Sequence, residues 1–203
     1  MDSSAAKGLW NIVLSGYPRA GKTKLAQRLI AEHQYFARVG VDELRHMFFE
    51  QSYPCRDEFM IYSMIAETRD ALLKLGYSVI VDSTAPFNVT RQFLLTTRIK
   101  PVNPLLVIVN VDRPVLVERT VKKYGDENTV LAYDKRWEEP QSGFPVFKFK
   151  SSSNEEFEDY YARLSELLLS ETHPYKPEFH STLFTGNGIR KALKTFLSKR
   201  TQR

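Results

Sequence analysis

The chain contains a single cysteine, Cys55, in 203 residues. No internal disulfide can form, and no cysteine-based zinc site can be assembled from this chain alone. No uninterrupted apolar stretch approaches the roughly 18 residues of a membrane-spanning helix, so no membrane span is expected. The opening MDSSAAKGLW lacks the basic-then-apolar order of a secretory signal. A cytoplasmic protein is the expectation. Histidine is scarce too: His33, His46, His173 and His180 stand at no metal-ligand spacing. Internal repeats and low-complexity tracts are missing.

What is present is ordinary for a globular domain. Hydrophobic residues make up 42% and charged residues 26%, enough for one sizeable core. The net charge of +5 permits an anionic partner without requiring one. Charge is segregated, however. Residues 186–203 hold six basic side chains and no acidic one, while the earlier stretch SSSNEEFEDYYARLSELLLSE is acidic. The division expected is a main domain over residues 1–170 and an extension over 171–203 carrying a basic amphipathic helix at 189–199. That helix reads equally as a track for a phosphate backbone and as a docking helix with a solvated face.

Strand and helix patterns alternate along the chain. Strands are expected at residues 10–15, 36–41, 77–82, 104–111 and 144–150. Helices are expected at 22–32, 42–48, 57–75, 88–98, from Pro114 onward, at 129–139 and at 155–169. Alternation of continuous apolar strands with helices implies a parallel sheet covered on both faces.

Into this pattern falls GYPRAGKT, with Gly16, Gly21, Lys22 and Thr23 in the spacing G-x-x-x-x-G-K-[ST]. Glycines let a backbone wrap phosphates, and the following helix adds its positive end. Lys22 can reach the β and γ phosphates, and the Thr23 hydroxyl can ligate Mg²⁺. Lys24, next along, is counted with the nucleotide contacts. Asp82 ends the apolar SVIVD at the sheet edge where ligands bind, as a Mg²⁺ ligand or as a turn-capping aspartate. In VGVDELR, Asp42 and Arg45 project from one face of a helix start. The pair suits a general base beside an arginine for an anionic acceptor, or a local ion pair. The chain lacks the Asn-Lys-x-Asp element of a switch GTPase and the length for a remodelling ATPase, which leaves a compact kinase.

The order GYPRAGKT, VDELR, GYSVIVDSTAPFNVTR, VDRPVLVERTVKKYG and YDKRWEEP resembles the P-loop kinases related to polynucleotide 5′-hydroxyl kinases and zeta toxins, over about residues 10–150. The resemblance implies a P-loop NTPase-type α/β fold: a five-stranded parallel sheet of order 2-3-1-4-5, sandwiched by helices, with a lid at about residues 119–140. It implies ATP and Mg²⁺ as cofactors. By it, Asp42 is the general base, Arg45 and Arg91 bind the acceptor, and Asp82 with Thr84 forms the element after the third strand. Lid cations Arg119, Lys122, Lys123 and Arg136 would reach the nucleotide and the transferring phosphate. Arg136 is assigned to the phosphate, and Arg119 and Lys123 to the nucleotide. The function implied is phosphoryl transfer from ATP to a hydroxyl, with an RNA or DNA 5′ end as the leading acceptor. The alternatives are a small metabolite or nucleotide sugar as acceptor, or an ATP-binding regulatory module with little turnover.

Overall fold

The computed structural model describes residues 9–141 and 143–170. The expected domain boundary at 170/171 and the helix at 189–199 lie outside them. The element order is β1 (Leu9–Ser15), α1 (Lys22–Glu32), β2 (Phe36–Gly40), α2 (Val41–Phe49), α3 (Glu58–Lys74) and β3 (Ser78–Asp82). It continues with α4 (Asn88–Leu95), β4 (Val102–Asn110), α5 (Arg113–Tyr124), α6 (Asn128–Asp134), β5 (Val146–Lys150) and α7 (Asn154–Ser170). The strands form one parallel sheet in the order β2-β3-β1-β4-β5. Parallel neighbours joined by helical crossovers bury both faces of their strands. Accordingly Ile12, Val13 and Leu14 are fully buried in β1, as are Val79, Ile80 and Val81 in β3.

The two faces carry separate apolar clusters. On one, Ile12, Leu14, Val107 and Phe149 pack with Leu25 and Leu29 of α1 and Phe157, Leu164 and Leu168 of α7. On the other, Val13, Val81, Leu106 and Ile108 pack with Ile61, Ile65 and Leu73 of α3 and Leu94 of α4. At about 25 cal/mol per Å² of apolar area removed from water, this double-sided burial holds the sheet rigid. No described helix is long and apolar enough to cross a membrane.

Several boundaries differ from the sequence reading. β2 stops at Gly40, and Val41 already opens α2. α4 ends at Leu95 instead of 98. Thr96 is extended at ψ 121° with its hydroxyl on the Gln92 carbonyl, and Thr97 donates instead to Asp70 at 2.7 Å. α6 ends at Asp134 instead of 139. Glu138 N–H leaves the helical path to donate to the Pro86 carbonyl at 3.0 Å, and the Trp137 ring turns onto Tyr17. β4 starts two residues early, at Val102.

The register positions the site. Gly40 on β2 pairs with Asp82 on β3, and Asp82 pairs with Leu14 on β1. The C-terminal ends of three adjacent strands are therefore level. Two residues past Leu14 the chain enters the phosphate loop, and one past Gly40 it enters α2.

Candidate active site

Two glycines shape the loop between β1 and α1. Gly16 has φ 150°, and a Cβ there would sit 2.5 Å from the Val109 carbonyl oxygen. Gly21 has φ 100°, and its Cβ would meet Ser151 Oγ at 2.9 Å. Only glycine takes both the backbone conformation and the close approach. The loop is tied to the end of β3 by the Gly16 N–H, which donates to the Thr84 carbonyl at 3.1 Å. Gly21 is the N-cap of α1. First-turn N–H groups have no acceptor within their own helix, so this end suits an anion.

Lys22 is buried, and its Nζ donates to the Gly16 and Tyr17 carbonyls at 3.0 and 2.7 Å. Burial lowers its pKa to about 8, against the opposing pull of Asp82 and Asp42. Those two carboxylates are thus the charges this ammonium feels. Asp82 is nearly buried and accepts from Arg38 Nε at 3.0 Å and Nη2 at 2.6 Å. Arg38 also donates to Glu43. Asp42, in the first turn of α2, keeps its side chain 70% exposed while accepting from Arg45 Nη1 at 2.5 Å. Arg45 itself is buried. Its Nε and Nη2 clasp Glu58 at 3.0 and 2.8 Å, and Glu58 also accepts from the Cys55 N–H at 2.8 Å. Burial works against the Arg45 charge, but the Glu58 bonds override it and leave its pKa raised.

Two cavities meet at the loop. One, about 520 Å³, is lined by Gly21, Lys24, Arg119 and Lys122 together with Ser151, Ser153 and Asn154 after β5. The other, about 660 Å³, is lined by Asp42, Asp82, Thr84 and Arg136 among others. Arg19, Lys22 and Thr23 belong to both. The phosphate loop therefore separates a basic chamber from a chamber holding three carboxylates, Asp42, Glu43 and Asp82.

The segment covering the second chamber is α6 and the turn after it. Tyr133 OH donates to Thr84 Oγ1 at 2.9 Å. Asp134 accepts from Tyr17 OH at 2.9 Å and from both terminal nitrogens of Arg113 at 2.7 Å. Trp137 packs 5.4 Å from the Tyr17 ring, with the Arg91 guanidinium 4.5 Å from the Trp137 ring centroid.

The residues singled out from sequence thus divide. Gly16, Gly21, Lys22, Thr23, Asp42, Asp82 and Arg136 converge around the loop and its second chamber, and Lys24 and Arg119 with Lys122 around the first. Lys123 is exposed and lines neither of these two chambers. Arg45 and Arg91 also line neither of these two chambers. Arg45 is consumed by Asp42 and Glu58. Arg91 is buried, donating to the carbonyls of Ala85 at 2.9 Å and Glu138 at 2.6 Å, and ties the end of β3 to the turn after α6. Arg38, Tyr53 and the serines after β5 were missed from sequence. A lone arginine inside the otherwise apolar strand FARVG was the available signal for Arg38. The serine run SSSN following the last strand was the signal for the other.

Among the described residues no group of three or more His, Cys, Asp or Glu could hold a metal. Mg²⁺ needs no such cage, because it keeps most of its waters and takes one or two protein oxygens plus phosphate. Thr23 and Asp82, hard oxygen donors lining the same chamber, fit that requirement.

An AAA domain family model matches residues 12–145. The chain belongs to the AAA domain family. Its sheet order and phosphate loop form a P-loop kinase-like fold. A gluconokinase from Sinorhizobium meliloti is similar in fold, with TM-score 0.56 and 18% identity over 82% of this chain and 98% of its own. The APS kinase CysC of Mycobacterium tuberculosis, in complex with AMPPNP and APS, aligns with TM-score 0.59 and 15% identity over 80% and 98%. Pnkp1, in a complex with Rnl and Hen1, aligns with TM-score 0.52 and 25% identity over 58% of this chain and 41% of its own. Comparison with curated protein sequences finds no match.

Proposed function

We propose that this AAA domain protein is an ATP-dependent kinase that phosphorylates a hydroxyl group. The observation that carries the reading is the shared wall: Lys22 and Thr23 line both the basic chamber and the chamber into which Asp42 and Asp82 project. A nucleotide in the first chamber would lay its phosphates along the loop and present the γ-phosphoryl group to an acceptor in the second.

The roles follow from charge and reach. Arg119 and Lys122 border the nucleoside end, and Lys22 with the α1 N-terminus holds the phosphates. Asp42, exposed to the chamber and steadied by Arg45, accepts the proton of the attacking hydroxyl. The acceptor oxygen bonds to the γ phosphorus, the bond to the β,γ-bridging oxygen breaks, and ADP leaves. Arg136, reaching in from the lid, offsets charge on the transferring group. Mg²⁺, when bound by Thr23 and Asp82, would neutralise charge on the β and γ oxygens.

Two acceptor classes compete. A polynucleotide 5′-hydroxyl is suggested by the motif resemblance and by the likeness to Pnkp1. A small metabolite is suggested by the likeness to a gluconokinase and an APS kinase, and by the second chamber, whose roughly 660 Å³ suits a small ligand. The chamber favours the second. The reading is tested by titrating ATP into the protein calorimetrically and then following ADP release. Saturable ATP binding, with ADP release that depends on a hydroxyl compound, is expected. ATP binding with acceptor-independent release, or none, would refute it.

A further inference from the structure

Arg38, which lines the second chamber, and Arg45, paired to Asp42 on its wall, each already face two carboxylates. Arg38 bridges Asp82 and Glu43. Arg45 bridges Asp42 at 2.5 Å and Glu58 at 2.8 Å. Two guanidinium groups are thus matched by four carboxylates. Recognition of a phosphate or carboxylate relies on an arginine whose paired N–H donors are open to the ligand. Neither of these is.

Besides Arg38, the arginines lining this chamber are Arg19 and Arg136, which make no ion pair among the described residues. Arg19 sits in the phosphate loop and lines both chambers, so it is placed for the nucleotide. Arg136 lies 5.1 Å over the Tyr53 ring, whose centroid is also 5.2 Å from the Arg45 guanidinium. The remaining polar wall is largely hydroxyl: Ser52, Ser83, Thr84, Tyr124, Thr129 and Tyr133. His46 adds a ring that donates and accepts. Such a wall reads hydroxyl groups from several directions, and the carboxylates of Asp42 and Glu43 accept from them while repelling anions.

We propose that the acceptor is an uncharged polyhydroxyl molecule, and that Glu43 and Glu58 exclude anionic acceptors by occupying the arginines that would otherwise bind them. The proposal rests on the kinase reading and names its substrate class. It sets aside a polynucleotide end, which carries a phosphate beside its terminal hydroxyl.

The test uses pairs that share a hydroxyl and differ in charge: adenosine with adenosine 3′-monophosphate, ribose with ribose 5-phosphate, and glucose with gluconate. A 5′-hydroxyl RNA oligomer completes the set. Transfer of label from γ-labelled ATP is measured with Mg²⁺ present. The expected result is a kcat/KM at least tenfold higher for the uncharged member of any pair that is used. Glu43→Gln, checked for folding by its thermal transition, should narrow that ratio by improving the anionic member. Equal or better transfer to the anionic member, or preferential labelling of the oligomer, overturns the proposal and leaves the kinase reading standing. No label on any compound, with ATP still bound, overturns the kinase reading and the proposal with it.

Discussion

Replacing Lys22 by methionine should stabilise the protein while abolishing its response to nucleotide. The lysine is held in the loop at the expense of its charge. Burial brings its pKa from the ordinary 10.5 to about 8, which corresponds to about 3 kcal/mol of destabilisation of the ammonium at neutral pH. Methionine keeps the stem and removes the charge, but leaves the Gly16 and Tyr17 carbonyls without this donor, a loss of about 1 kcal/mol or less each. The net gain is about 1–2 kcal/mol, or about 3–6 °C in Tm for a chain of this size. The sign is checked by pH. Between about 8 and 10.5 the unfolded chain binds more protons at this position than the folded one, so wild-type stability contributed by this group rises with pH there. Thermal melts from pH 7 to 10 should show the variant ahead at pH 7 and the two curves converging toward pH 10. Mg²⁺-ATP at a hundred times its Kd should raise the wild-type stability by about 2.7 kcal/mol and the variant's by nothing measurable. A variant less stable than wild type at pH 7, with curves that stay parallel, would refute the reasoning.

Other expectations follow from the same geometry. Asp42→Asn should lower kcat by about 10²–10⁴-fold while calorimetric ATP binding is unchanged, because the residue faces the acceptor chamber and not the nucleotide. Glu58→Gln leaves the buried Arg45 with only the exposed Asp42 as a charged partner, and urea unfolding should show a loss of about 2–4 kcal/mol. Arg45 also overrides burial to hold the Glu58 carboxyl below its ordinary range. Its contribution is therefore present above the ordinary carboxylate pKa and lost as pH falls through the lowered value, which acid melts of wild type and variant would display. Gly21→Ala forces a side chain onto φ 100° against Ser151. It should lower stability by about 1–3 kcal/mol and weaken ATP binding, measured by melts and calorimetry together.

The phosphate loop was legible because its whole signal is local: two glycines, a lysine and a threonine between an apolar strand and an amphipathic helix. Asp42 and Asp82 were legible because each follows an apolar strand, and a level parallel register carries strand-end residues to one edge. The sheet order was not in the periodicity and came from the motif resemblance. Arg45 and Arg91 were not legible in their actual placement. The fate of a guanidinium depends on which carboxylate or carbonyl the fold delivers to it, here Glu58 and Glu138, neither implied by the D-x-x-R spacing. The end of α6 was hidden for a similar reason. Residues 135–139 suit a helix locally, but the contacts of Trp137 with Tyr17 and of Glu138 with Pro86 draw the chain away.

The central claim is that Asp42 lies where a hydroxyl meets the γ-phosphoryl group held by Lys22. The most direct measurement follows the γ-label of ATP in the presence of Mg²⁺ and hydroxyl compounds, with wild type and Asp42→Asn side by side and nucleotide occupancy measured for both. The account predicts label on a hydroxyl compound with wild type, its loss with Asp42→Asn, and equal occupancy. Transfer by Asp42→Asn at the wild-type rate would contradict it.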